Sequence, residues 1–333
     1  MHSTRLTRPA TLLLALGLAT LGLALGLLNR PAIPLEKLSI AVARTPLSTP
    51  IFVAADRGYF RQQGLDVELH EVIGGNRAFD QLIEGRTDLA TSSDSVIMFN
   101  SFERRDFTVL ASFVTSDNDI KLIASTDGPL RSVIDLAHHR IATTPGSSSE
   151  YFLHSIALMH DIDGSRLETR AINPENMSAN LLDGHVEALS TWEPYAYQTV
   201  RALGEKAVVL PTRGLHSINF NLLALDSTVT TRRETLAAAL RALDQSIDFM
   251  HLNPGQARKI ARDRLGLEAD FIEWVWPDYN FRLGLPNSLL IALDSGARWA
   301  LNNGHVKAQP LPDFRHFLDG SLLQQVIPST GQP

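Results

Sequence analysis

Cysteine is absent from all 333 residues. This excludes disulfides, thiolate nucleophiles, thiolate-bound zinc and a lipid-modified N-terminal cysteine. It permits an oxidising compartment without requiring one. Positive charge is also short: 30 Lys and Arg against 36 Asp and Glu give a net charge of -6. Phosphate backbones need a concentrated basic surface, so nucleic acid is not an expected partner. The chain has no GxSxG, no P-loop lysine motif and no HExxH, and so lacks the common signatures of hydrolase, nucleotide and zinc-protease chemistry. The histidines of His138-His139 and of the HDID at 160–163 do not share a helical face, and no metal or other cofactor is expected. No repeat of fixed period is visible, and no low-complexity tract beyond the N-terminus.

What is present is a globular balance, 44% hydrophobic and 20% charged, enough for two well-filled lobes. The N-terminus carries Arg5 and Arg8, then no charge from Pro9 to Leu28. A basic start before a Leu/Ala/Gly run fits an export signal. A run of about 20 apolar residues is also long enough to span a bilayer. Ala24-Leu25-Gly26 is a poor small-x-small cleavage site, so cleavage and retention as an anchor both stay open for residues 1–30. No second run of this length follows, so the chain is not read as a permease.

Beyond the linker NRPAIPLEK the sequence alternates strand and helix patterns. LSIAVA (38–43), VELHEV (67–72), DLAT (88–91), RIAT (140–143) and EALS (187–190) read as strands. Each is followed by a short polar turn and a helical pattern: IFVAADRGYFRQQG, RAFDQLIEG, SVIMFNSF, EYFLHSIALMH and YAYQTVRALG. Such alternation predicts βαβ units and largely parallel sheets. After the probable strand INFNLLALD (218–226), the last third reads as helices separated by Pro and Gly, without intervening strands.

Ligands of open α/β sheets bind beyond the carboxyl ends of strands. Here those ends carry Thr45, Ser48 and Thr49; Gly74, Gly75 and Asn76; Ser92, Ser93 and Asp94; Thr144 to Ser149; and Trp192 with Glu193. Each also has a purely structural use. Ser147 and Glu150 stand at capping-box spacing, and Asp94 suits the N-cap of a helix starting at Ser95. Capping is compatible with anion binding, because a helix N-terminus offers free N–H groups backed by its dipole. The amides around Gly146 with Ser147, Ser148 and Ser149 are therefore the leading oxyanion candidates, with Ser92, Ser93 and Asn76 behind them. Down the helix that follows, Phe152, Ile156 and Met159 should be core.

In TWEPYA (191–196), Pro194 disfavours the α region for Glu193 and suits a helix start. Neighbours in an extended pair point to opposite sides, so Trp192 and Glu193 should not both face a ligand. Glu193 either favours its helix N-terminus or pairs with a ligand amine.

The segments "PIFVAADRGYFRQQGLDVELHEVIGGNRAFDQLIEGRTDLATSSDS", "VIDLAHHRIATTPGSSSEYFL" and "LLDGHVEALSTWEPYA" together resemble the periplasmic solute-binding proteins for nitrate, sulfonates and taurine. Thiamine-precursor binding proteins share that superfamily. The resemblance covers about residues 38–225, and the order of motifs carries it. It implies an α/β, two-lobed type II periplasmic-binding fold, each lobe a largely parallel sheet flanked by helices, with extra C-terminal helices. Lobe one would be 36–120 completed by 217–326, and lobe two 121–216. The implied function is capture of a small anion or zwitterion for an ABC permease and its ATPase, by a periplasmic monomer without enzymatic activity. A membrane-anchored sensory protein and a pyrimidine-binding protein are the alternatives. Ligand contacts would fall near Thr45 and Ser48, at Ser92 and Ser93, at Ser147 and Ser148, and at Trp192. A fungal enzyme branch of the superfamily uses a cysteine-rich motif that this chain lacks.

Overall fold

A computed structural model describes residues 34–327; the N-terminal apolar run lies outside the described residues. Among the described residues, eleven strands form two sheets. One holds β1 (Glu36–Ala43), β2 (Leu65–Val72), β3 (Leu89–Ser93), β4 (Phe107–Ser116), β10 (Ile218–Leu225) and β11 (Tyr279–Gly284), in the order β11-β4-β10-β3-β1-β2. The other holds β5 (Ile120–Ser125), β6 (Arg140–Thr143), β7 (Glu168–Ala171), β8 (Ala188–Trp192) and β9 (Ala207–Val209), in the order β7-β6-β8-β5-β9.

Apolar continuity explains the central strands. A strand covered on both faces cannot alternate polar with apolar. In β1, Ile40 and Val42 enter one core cluster while Ala41 enters another on the opposite face. In β5, Leu122 and Ala124 face one cluster and Ile123 the other. Helix Arg233–Leu252 packs on helix Thr49–Asp56, and helix Asn287–Asn302 packs on helix Asp94–Asn100.

Both sheets are mixed. β1 pairs parallel with β2 and β3, and β6 with β7 and β8, through helical crossovers. Antiparallel pairing enters where the chain changes sheets. β5, entered from β4, lies antiparallel between β8 and β9, and β10, entered from β9, lies antiparallel between β3 and β4. The two connections, between Ser116 and Ile120 and between Val209 and Ile218, join the lobes.

Three local expectations change. The helix read across IFVAADRGYFRQQG divides into Thr49–Asp56 and Tyr59–Gln62, because Gly58 takes a φ of 71°. The last third contains a strand, β11, whose Tyr279, Phe281 and Leu283 point inward while Asn280 and Arg282 are exposed. Met159 is exposed at the end of its helix, whereas Phe152 and Ile156 are buried. No described helix is long and apolar enough to cross a membrane.

Candidate functional site

A narrow cavity of about 20 Å³ lies between the two sheets. Ala43 ends β1 and Thr45 and Leu47 follow it, Gly74 to Asn76 follow β2, and Ser93 ends β3 with Val96 beyond it. The other lobe supplies Ser147, Ser148 and Trp192. Asp119 comes from the first connection, and Ile218 and Phe220 from the return into β10.

Of the residues singled out from sequence, Thr45, Asn76, Ser93, Ser147, Ser148 and Trp192 meet at this cavity. Ser48, Ser92, Gly146 and Glu193 are not among its lining. Ser48 donates its hydroxyl to the Ala43 carbonyl at 2.8 Å, and Ser92 donates to the Gly75 carbonyl at 3.0 Å. Gly146, at a φ of 65°, gives its N–H to Glu150 Oε2 at 2.9 Å. That bond turns the expected capping box one residue back, since Glu150 serves Gly146 rather than Ser147. Ser147 is the N-cap and accepts from Ser149 N–H at 3.2 Å while donating to the Thr144 carbonyl at 2.6 Å. Ser148 begins the twelve-residue helix Ser148–Met159, and its hydroxyl makes no hydrogen bond to the described residues.

The Gly-Gly turn before helix Gly75–Ile83 has a steric reason. A Cβ at Gly75 would sit 3.0 Å from both Cα and Oγ of Ser92, and one at Gly74 would approach Trp192 of the opposite lobe to 3.4 Å. Gly74 also holds a φ of 83°. Bare backbone is what allows this helix start to reach β3 and the indole together. Asp94 is the first residue of its helix rather than the cap, a role Ser93 takes. Its Oδ2 accepts both the backbone N–H and the side-chain amide of Asn219 at 2.9 Å.

Two buried carboxylates adjoin the cavity. Glu193 is completely buried, follows Trp192, and precedes a cis bond to Pro194. Its Oε1 lies 2.8 Å from Lys121 Nζ, and its Oε2 accepts the Tyr197 N–H at 2.9 Å. Burial pushes its pKa up, against the pull of Lys121. Trp192 and Glu193 do point to different surroundings, and the amine Glu193 pairs with is the chain's own. Lys121 also donates to the Asn118 carbonyl at 2.5 Å and lies 4.8 Å over the Trp274 ring. Asp119 is 1% exposed; its Oδ1 accepts from Tyr279 Oη at 2.8 Å, and its Oδ2 has no hydrogen-bond partner among the described residues. Burial raises its pKa to about 7; the Tyr279 hydrogen bond and Lys121 oppose this, and the Glu193 and Asp278 charges add to it.

Sequence reasoning missed Asp119 and Lys121. The signal for Lys121 was a lone charge inside the apolar run IKLIAS. The signal for Asp119 was weaker, one of two aspartates in SDND, a stretch that resembles an ordinary polar turn.

This architecture recurs in known proteins. The alkanesulfonate-binding protein of Xanthomonas axonopodis pv. citri, solved with bound MOPS, superposes with a TM-score of 0.76 at 17% identity, over 86% of this chain and 99% of that one. The periplasmic nitrate-binding protein of Synechocystis PCC 6803 gives a TM-score of 0.70 at 16% identity, over 92% of this chain and 91% of that one. The fold is therefore that of periplasmic binding proteins. An Escherichia coli (strain K12) protein whose provisional name describes aliphatic sulfonate binding is 22% identical over 125 residues, 38% of this chain. That match spans 39% of the relative's length. The model of the family described as NMT1/THI5 like matches residues 45–257, and the chain belongs to that family.

Proposed function

We propose that this chain is the extracytoplasmic solute-binding component of an ABC importer, holding a small anionic or zwitterionic solute between two closing lobes. One observation carries the reading. The first residues of two helices, Gly75–Ile83 from one lobe and Ser148–Met159 from the other, line the same cavity, with the hydroxyls of Thr45, Ser93 and Ser148 beside them. Unpaired N–H groups at helix starts favour an oxyanion, and hydrogen bonds to charged groups are worth roughly 1.5–3 kcal/mol each. No Lys or Arg lines the cavity, so amides and hydroxyls would carry the anion. Leu47, Val96, Trp192 and Phe220 supply apolar contact for an alkyl or planar remainder.

The narrowness of the cavity supports entry through lobe opening. Arg77, just inside its helix, meets Glu175 of the other sheet's flank at 3.0 Å, a bridge that opening would break. The lobes are proposed as 36–120 with 217–326, and 121–216, moving about the two connections. Export would rest on residues 1–30, and N-terminal sequencing of the exported protein separates a cleaved signal from a retained anchor. The sulfonate- and nitrate-binding names of the similar proteins support the solute class.

Mass spectrometry of co-purifying small molecules, followed by calorimetry with nitrate, alkanesulfonates and taurine, tests the reading. Binding of one of them, weakened in Ser148→Leu without a matching loss of thermal stability, is the expected result. A purified, folded protein that binds no small anion or zwitterion would overturn it.

A further inference from the structure

The proposed solute class leaves one feature of the cavity unused. Asp119 is a lining residue whose Oδ2 is buried and has no hydrogen-bond partner, while its Oδ1 is held by Tyr279. A buried polar atom left unpaired costs free energy, more when it is charged. The neighbouring charges do not relieve it. Lys121 is committed to Glu193 and to the Asn118 carbonyl. Asp278 is engaged by Arg213 at 2.5 Å and by the Asn118 amide at 2.7 Å. Asp119 is the only ionisable group among the lining residues, so a ligand that is only an anion would meet a like charge and no cation.

We propose that Asp119 sets the specificity of the cleft, selecting solutes that present a primary amine or an equivalent N–H donor. The inference rests on the cleft being the binding site proposed above. The donor completes Oδ2. The opposite end of the ligand then faces the Ser148 and Gly75 helix starts, an arrangement suited to a zwitterion. Recognition by a carboxylate requires its ionised form. With a pKa of about 7, Asp119 gains a proton as pH falls below that value, so affinity for an amine should decline on the acid side and level off above it. Glu193, Lys121, Asp278 and Tyr279 are the titratable groups acting on Asp119, and the Asp119→Asn variant assigns the profile to Asp119 rather than to them.

The test is calorimetry on the full-length protein and on Asp119→Asn with two matched pairs, each exchanging an amine for a methyl. Taurine is compared with 1-propanesulfonate, and 4-amino-2-methylpyrimidine with 2,4-dimethylpyrimidine. The expected result is at least tenfold tighter binding of the amine member of one pair at pH 8, a gap that shrinks below pH 7 and collapses in Asp119→Asn. Which pair binds distinguishes a sulfonate-borne amine from a heterocyclic one. Thermal unfolding confirms that the variant is folded. If a methyl member binds as well as its amine partner, the inference is overturned while the solute-binding reading stands. If 1-propanesulfonate binds more tightly as pH falls, Asp119 acts as a protonated donor to the ligand, which also overturns it. If no member of either pair binds, both the inference and the sulfonate and pyrimidine readings fail.

Discussion

Glu193 and Asp119 are buried carboxylates on adjacent segments, the Glu193 N–H donating to the Asp119 carbonyl at 3.2 Å. Their side chains are treated very differently. Glu193 stands 2.8 Å from an ammonium with one oxygen, an ion pair without aligned hydrogen-bond geometry, and accepts a helix amide with the other, so its charge is answered within the protein. Asp119, a residue of the cavity lining, has a single hydroxyl donor on one oxygen, and its other oxygen is buried without a hydrogen-bond partner among the described residues. Completed polar networks hold a fold in one arrangement, and incomplete ones mark places where stability has been traded for something else. The difference separates a carboxylate that builds the junction between the lobes from one kept available there.

The largest expected effect comes from breaking the completed side. Lys121→Met strands the Glu193 charge in the interior, and removing one partner of a buried pair typically costs about 3–5 kcal/mol. Urea unfolding should show that loss. The double variant Lys121→Met with Glu193→Leu should recover part of it, because the remaining charge is then gone. A single variant as stable as the parent would mean that Glu193 is not held by Lys121.

Trp192, which ends β8 between the two carboxylates, comes next. It is 7% exposed and belongs to the main core cluster. Trp192→Ala should therefore cost stability, about 3 kcal/mol, as well as affinity. The affinity part, read by titration, should be about 1–2 kcal/mol from lost apolar contact. Loss of stability with full retention of affinity would remove the indole from the site.

A smaller effect sharpens the Asp119 side. Tyr279→Phe deletes its only side-chain donor, with a stability loss of about 1–1.5 kcal/mol. Because that hydrogen bond holds the Asp119 pKa down, its loss should move the pH midpoint of ligand affinity upward. An unmoved midpoint would place the titration elsewhere.

How much of this was legible differs by element. RIAT is β6 residue for residue, and β3 runs two residues past DLAT because Ser92 and Ser93 stay buried and paired with β10. The alternation in YNFRLG was readable as a strand, and the helical rhythm on either side obscured it. Strand-end reasoning brought Thr45, Asn76, Ser93, Ser147, Ser148 and Trp192 to one cavity, because the carboxyl ends of the strands in both sheets open onto the same crevice. It could not tell that the Ser48 and Ser92 hydroxyls turn back onto carbonyls, because side-chain direction at a turn depends on which acceptor lies within reach. Asp119 was hidden for a different reason. SDND between two apolar runs looks like an exposed turn, and only the passage of the chain from one sheet to the other buries it.

The most direct test is urea unfolding of Asp119→Asn and Glu193→Gln, side by side, at pH 8 and at pH 5. A carboxyl whose pKa is raised by folding binds more protons in the native state between its unfolded value, near 3.8, and about 7. Its contribution to stability is thus fullest at low pH, falls across that window, and stays low above it. Asp119→Asn should accordingly gain about 1–3 kcal/mol over the parent at pH 8, and less at pH 5, because each pKa unit corresponds to about 1.4 kcal/mol. Glu193→Gln should lose stability at pH 8: burial raises the Glu193 pKa too, but here relieving that charge is outweighed by the cost of leaving the buried Lys121 ammonium without its counter-charge. A loss of stability in Asp119→Asn equal to that in Glu193→Gln would contradict the account, since both carboxylates would then serve the fold alone.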